Sequence, residues 1–135
     1  MVDEKKVQEK YMEYQMVEQQ LKQLQQQIQA IDSKLEEAAV LFNSLEEIKA
    51  AKPGSEVLVP MSNGIFVKGT LTDASTMLVN VGGGVVVDKT VQEVKDLIKT
   101  QIDEIQKARE QAVIEFEKVL KSYSDIEEQL KKMVE

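Results

Sequence analysis

Residues 53–90 read PGSEVLVPMSNGIFVKGTLTDASTMLVNVGGGVVVDKT, and this is the stretch that follows no helical pattern. It holds four short apolar runs: Glu56 to Pro60, Gly64 to Leu71, Met77 to Val81 and Gly84 to Val87. β-branched residues dominate them, as the pleated surface of a strand favours. Ser62-Asn63-Gly64 joins the first two runs, and Asn-Gly between apolar runs is a strong hairpin signal because both loop residues accept positive φ. Gly82-Gly83 is expected to join the last two, with Thr72-Asp73-Ala74-Ser75 as a polar connection between the pairs. The expectation is two consecutive β-hairpins. Glycine triplets also occur in phosphate-binding loops, but that use needs a helix after the loop, and here a strand follows.

The flanks are helical. From about Asp3 to Ala51 one set of positions is Val7, Tyr14, Leu21, Ile28, Leu35 and Phe42. The other is Lys10, Val17, Leu24, Ile31, Ala38 and Leu45. Eleven of these twelve are apolar over about six heptads, a coiled-coil signature. The glutamines between them (Gln15 to Gln29) form a solvated face, since glutamine is a good helix former and the heptad never breaks. Pro53-Gly54 stops this helix. Thr90-Val91-Gln92-Glu93 reads as a capping box that opens a second helix, running to about Val134. Its seam is Val91, Ile98, Ile105, Ala112, Val119, Ile126 and Met133, partnered by Ile102, Arg109, Phe116, Tyr123 and Leu130.

Each helix would be roughly 70 Å long at 1.5 Å per residue. Two matched seams joined by a compact connection predict an antiparallel intramolecular coiled coil with both termini at the end away from the hairpins. Arg109 falls opposite Ile31 to Leu35, near Asp32 and Glu36, so it is expected to reach a carboxylate and fix the register. Lys10 lies near the frayed end, where a polar seam residue costs little. The fold class is mainly α with a small β part. A single domain spans 1–135: an N-terminal helix (1–52), two hairpins (53–89) and a C-terminal helix (90–135).

Composition excludes several functions. The chain has 135 residues, no cysteine and no histidine, which removes disulfides, thiolate or imidazole metal sites and histidine acid–base chemistry. The net charge of −7 sits on the helices. No basic face is evident, so nucleic acid is not an expected partner. No run approaches a membrane span, and Met1-Val2-Asp3-Glu4-Lys5-Lys6 has no apolar segment behind it. A soluble, cytoplasmic protein is expected. The carboxylates are spread along helical faces and no nucleophile has a base beside it, so no catalytic residue, cofactor or metal is assigned.

Apolar residues off the seams carry the functional signal. Tyr11, Met12 and Met16 point away from the Val7/Tyr14/Val17 stripe. With Val2, Leu130, Met133 and Val134 they are expected to form an apolar patch at the far tip, of the kind that marks an interaction site. Methionine adapts to varied partners, so the patch is read as a client-binding surface, with scattered surface apolars or contact with a further subunit as the alternatives. Val94 and Leu97 are expected to pack beneath the hairpins. Two isolated hairpins expose edges and an apolar face. Pairing with the hairpins of other subunits in a shared barrel would cover them, making the chain an obligate oligomer. The residues placed at that interface are Val57, Val59, Ile65, Phe66, Val67, Leu78, Val79, Val81, Val85, Val86 and Val87.

The order helix, two hairpins, helix resembles the alpha class of the prefoldin family over essentially the whole chain. The most specific residues are Asn63 to Gly69, Leu78 to Gly82 and Gly84 to Val87. Two hairpins favour the alpha over the beta class, which has one. The resemblance implies a co-chaperone of archaeal or eukaryotic cytosol: a hexamer of two alpha and four beta subunits with a double-barrel platform and coiled-coil tentacles. Non-native proteins would be held at the tips, without ATP, and passed to a group II chaperonin. The tip positions would be Val2, Val7, Tyr11, Met12, Met16, Ile126, Leu130, Met133 and Val134. A self-assembling, filament-forming prefoldin-like protein is the alternative.

Overall fold

The computed structural model describes residues 3–134. Along the chain two helices flank four strands: α1 (Glu4–Ala50), β1 (Glu56–Ser62), β2 (Ile65–Thr70), β3 (Thr76–Gly82), β4 (Val85–Thr90) and α2 (Val91–Val134). The chain divides into two compact units, Met1–Leu35 with Glu104–Glu135, and Glu36–Asp103.

In the first unit the heptads behave as the sequence predicts. Val7, Tyr14, Leu21, Ile28 and Leu35 are half-buried, as are Val17, Leu24 and Ile31, while nearly all the residues between them are exposed. Ala112 and Ile126 of α2 are buried. Pairing is antiparallel: Tyr14 meets Tyr123, and further along α1 Asp32 meets Arg109, earlier on α2. Arg109 Nε donates to Asp32 Oδ1 at 2.5 Å, the carboxylate expected for it. This pair holds the guanidinium's pKa above its ordinary value. Lys10 lies 3.3 Å from Glu13. Asp3 caps α1 by accepting from the Lys5 and Lys6 N–H groups at 3.1 and 3.3 Å.

The second unit holds the other helix ends and both hairpins. Its core is Leu45, Val91, Val94 and Ile98, with Ala38, Phe42, Met77, Val79 and Ile102 packed on it. Val94 is buried as expected. Leu97 is instead exposed: it precedes the seam residue Ile98 and turns outward. The capping box forms, with the Glu93 N–H donating to Thr90 Oγ1 at 3.1 Å. α1 ends before Pro53, and the Gly54 N–H donates to the Leu71 carbonyl at 2.7 Å, closing the base of the first hairpin. Asp73 orders the inter-hairpin connection by accepting from the Ser75 hydroxyl and N–H at 2.6 and 2.8 Å. Those bonds lower its pKa.

The two hairpins repeat each other with a shift of 20 residues. Glu56 pairs with Thr70 and Thr76 with Thr90; Val59 pairs with Val67 and Val79 with Val87. Each carries a β-bulge at the same place, leaving Met61 and Val81 as the extra residues. Asn63-Gly64 forms the first loop, with φ of 47° and 80°. The second loop corrects the expectation: it is Gly83-Gly84, φ 60° and 76°, and not Gly82-Gly83. Gly82 belongs to β3, where its φ of 113° fits the bulge and its N–H donates to Asn80 Oδ1 at 2.9 Å. Three glycines serve two tasks here, two in the turn and one in the bulge.

Candidate functional site

Two apolar surfaces stand out, one in each unit. The first is a groove of about 560 Å³ near the end of α2. Val7, Tyr11 and Tyr14 of α1 and Leu130 and Val134 of α2 form its apolar lining; Gln8, Met12, Glu127 and Lys131 complete it. Helical spacing explains the set: Val7, Tyr11 and Tyr14 are four and three apart, as are Glu127, Lys131 and Val134, so each series lies along one helix face. Tyr11, Met12 and Val134 are more than half exposed. Val7 and Leu130 are half-buried and form both seam and groove wall.

The remaining predicted tip residues fall elsewhere. Met16, 70% exposed, borders a more polar depression with Met12, Gln15, Glu18, Gln19 and Lys22. Met133 is half-buried and does not line the groove. Ile126 is a correction: only 6% of it is exposed, because it lies in the helix seam, where it supports the groove without facing solvent. Val2 lies outside the described residues.

Beneath the groove two seam tyrosines pair. The Tyr14 and Tyr123 hydroxyls share a hydrogen bond of 2.5 Å, and their rings stack with centroids 4.6 Å apart. That bond, with desolvation, pushes the Tyr14 pKa up from 10.0 to about 12. The sequence places both residues in the seam but gives no sign that their hydroxyls meet. Heptad position predicts which residues face the partner helix, not the height at which two long side chains touch.

The second surface is the hairpins. Strand alternation puts Val57, Val59, Ile65 and Val67 on one face of β1–β2, and Leu58, Pro60 and Phe66 on the other. Of these, only Val57 is not exposed. On β3–β4, one face carries Met77, Val79 and Val87, partly spent against the helical core; the opposite face carries Leu78, 74% exposed, and Val86. Val81 and Val85 are also exposed. Leu58 and Met61 are exposed apolar residues absent from the predicted interface. Leu58 shares a strand face with Pro60 and Phe66, which was an available signal, whereas Met61 sits in the bulge, outside the alternation. Both sheets are two-stranded, so all four strands are edges.

Lys95 was also missed. It is 7% exposed, forms an ion pair with Glu46 and lies 5.7 Å from the Phe42 ring centroid. Counting one heptad back from Ile102 reaches it, two heptads before Arg109, so the same seam position carries both basic residues. Among the described residues no cluster of three or more acidic side chains suited to a metal ion occurs. No described helix is long and apolar enough to cross a membrane.

The family model described as Prefoldin subunit matches residues 17–135. The chain belongs to the prefoldin subunit family. The prefoldin subunit alpha of Methanococcus vannielii is 28% identical over 93% of this chain and 84% of its own length. That of Archaeoglobus fulgidus is 27% identical over 96% of this chain and 95% of its own. Human prefoldin subunit 5 is 34% identical over 62% of this chain and 53% of its own. A filamentous PFD from Methanocaldococcus jannaschii, solved by cryo-EM, matches with a TM-score of 0.74 over 84% of this chain and 93% of that one, at 18% identity, and so bears on fold alone. The fold is that of prefoldin, and the alpha class expected from two hairpins agrees with the names of these relatives. The role is the family's, that of a co-chaperone subunit. Prefoldin subunits assemble with other prefoldin subunits.

Proposed function

We propose that this prefoldin subunit is an ATP-independent holdase that binds non-native proteins along the groove of Val7, Tyr11, Tyr14, Leu130 and Val134, with Met12, Met16 and Met133 extending the surface. The observation that carries this is an open apolar groove left uncovered where the helix pair could have closed it with polar residues. Burial of apolar surface drives capture without nucleotide. Tyrosine offers a large amphipathic contact and methionine an adaptable one, which suits clients of unrelated sequence.

In this reading residues 1–135 act as one prefoldin-like domain. The hairpin residues Val57, Val59, Ile65, Phe66, Val67, Leu78, Val79, Val81, Val85, Val86 and Val87 join a barrel with those of partner subunits. The assembly is a hexamer of two alpha and four beta subunits in the cytoplasm, handing clients to a group II chaperonin, and the chain has no catalytic activity of its own. The small core supports obligate assembly: only Leu45, Val91, Val94, Ile98, Ala112 and Ile126 are buried apolar residues among those described. Covering eight half-exposed hairpin side chains at about 1 kcal/mol each would gain on the order of 10 kcal/mol before the cost of association.

The test replaces Tyr11, Met12 and Met16 with serine and follows aggregation of a chemically unfolded client. Suppression is expected to weaken several-fold while the native mass of the assembly stays the same. Full suppression by the assembled triple variant would remove the groove from client binding.

A further inference from the structure

All three tyrosines of the sequence, Tyr11, Tyr14 and Tyr123, gather in the first unit. The chain has no tryptophan, cysteine or histidine. Phenols are therefore the side chains most open to one-electron oxidation, since methionine sulfur instead takes up oxygen to become the sulfoxide. Among the three, one pair is set apart. Tyr14 and Tyr123 stack at 4.6 Å with planes 23° apart and hydroxyls hydrogen-bonded, which places the ring carbons flanking the two hydroxyls close together. Tyr11 is 6.3 Å from Tyr14, one turn along the same helix, and is about half exposed.

We propose that Tyr14 and Tyr123 are a dityrosine site, at which a peroxide-fuelled haem oxidant of the peroxidase class joins the two rings and staples α1 to α2. Each phenol loses one electron to the oxidant and its hydroxyl proton to solvent. The two phenoxyl radicals pair their electrons in a Cε–Cε bond, with rotation about the side-chain bonds bringing these carbons together. Each ring then returns the hydrogen on its newly bonded carbon to oxygen through solvent, which restores two phenols. Two electrons and two protons leave the protein, and one hydrogen peroxide takes them up as two waters. The product is a covalent link across the floor of the groove, holding its two walls together. It depends on the geometry of this one unit and not on what the groove binds.

The experiment treats the full chain at micromolar concentration with a haem peroxidase and hydrogen peroxide, then maps the digested product by mass spectrometry. The expected product is a Tyr14–Tyr123 linked peptide pair, two hydrogens lighter than its parts, with dityrosine fluorescence. It should exceed intermolecular links by about 1000-fold, because a partner held in the same chain has an effective concentration of millimolar order or more. Tyr14→Phe and Tyr123→Phe abolish it; Tyr11→Phe leaves it; and the linked protein melts at a higher temperature than the untreated one. Far-ultraviolet dichroism checks the helices of the Phe variants, and the wild-type peptide map decides the site even if a variant loses helix. Links dominated by Tyr11, a product that survives Tyr123→Phe, or oxidised methionines without dityrosine would each overturn the proposal.

Discussion

The groove and the hairpins both leave apolar side chains in water, but they do so with different chemistry. The groove sets tyrosine, methionine, leucine and valine on helices whose backbone hydrogen bonds are satisfied internally. The hairpins use valine, isoleucine and phenylalanine on strands whose outer edges remain unpaired. An apolar groove on a finished backbone can take many partners weakly. An open strand edge demands one partner in one register, because a one-residue slip turns every side chain to the other face. The contrast separates a surface for varied clients from a surface for fixed assembly.

The largest effect should come from breaking the second surface. Phe66→Asp combined with Leu78→Asp places carboxylates where strands of other subunits would bury them, at several kcal/mol each. Sedimentation should show the assembly lost, while helix content persists because neither residue belongs to the helical core. Within the first unit, the contrast between wall and support can be sharpened. Ile126→Ala should cost about 2–5 kcal/mol in urea unfolding, as for a buried isoleucine, whereas Met16→Ala should stay within about 0.5 kcal/mol. Equal costs would mean that Ile126 is not seam.

Smaller effects probe the polar seam positions. Glu46→Gln removes the partner of Lys95 and should destabilise by about 1 kcal/mol, discounted because the carboxylate is half in solvent. Lys95→Met, which fills the same space without charge, should be neutral or stabilising. The tyrosine pair comes last because its pH dependence lies wholly in the alkaline range. Tyr14 has a folded pKa raised from 10.0 to about 12. Its contribution is therefore fully present below pH 10 and is lost as pH rises through about 12. Absorbance titration of tyrosinate should show one phenol ionising late, and Tyr123→Phe should bring it back towards its ordinary value.

Much of this was legible in the sequence, for reasons that differ by element. Six heptads fix a helix face by repetition, so the α1 seam from Val7 to Leu45 follows residue by residue. Asn63-Gly64 names its own loop because few residue pairs accept two positive φ angles. The glycine triplet does not: three residues equally able to turn leave the loop position open, and the bulge at Val81 decides it. Ile126 and Leu97 show the limit of periodicity near exposed surfaces. The heptad frame carried Ile126 into the seam, and its nearness to the helix end made it look available. Leu97 is apolar but one position off the seam, and nothing in the second unit covers it. Lys95 escaped because a basic residue at the head of an apolar series does not look like part of it.

The native mass of the chain, purified alone and then co-produced with beta-class prefoldin subunits, tests the assembly role most directly. A discrete hexamer containing two copies of this chain is the predicted result. A long homopolymer that forms regardless of the partner, or a stable monomer with its hairpins uncovered, would contradict it.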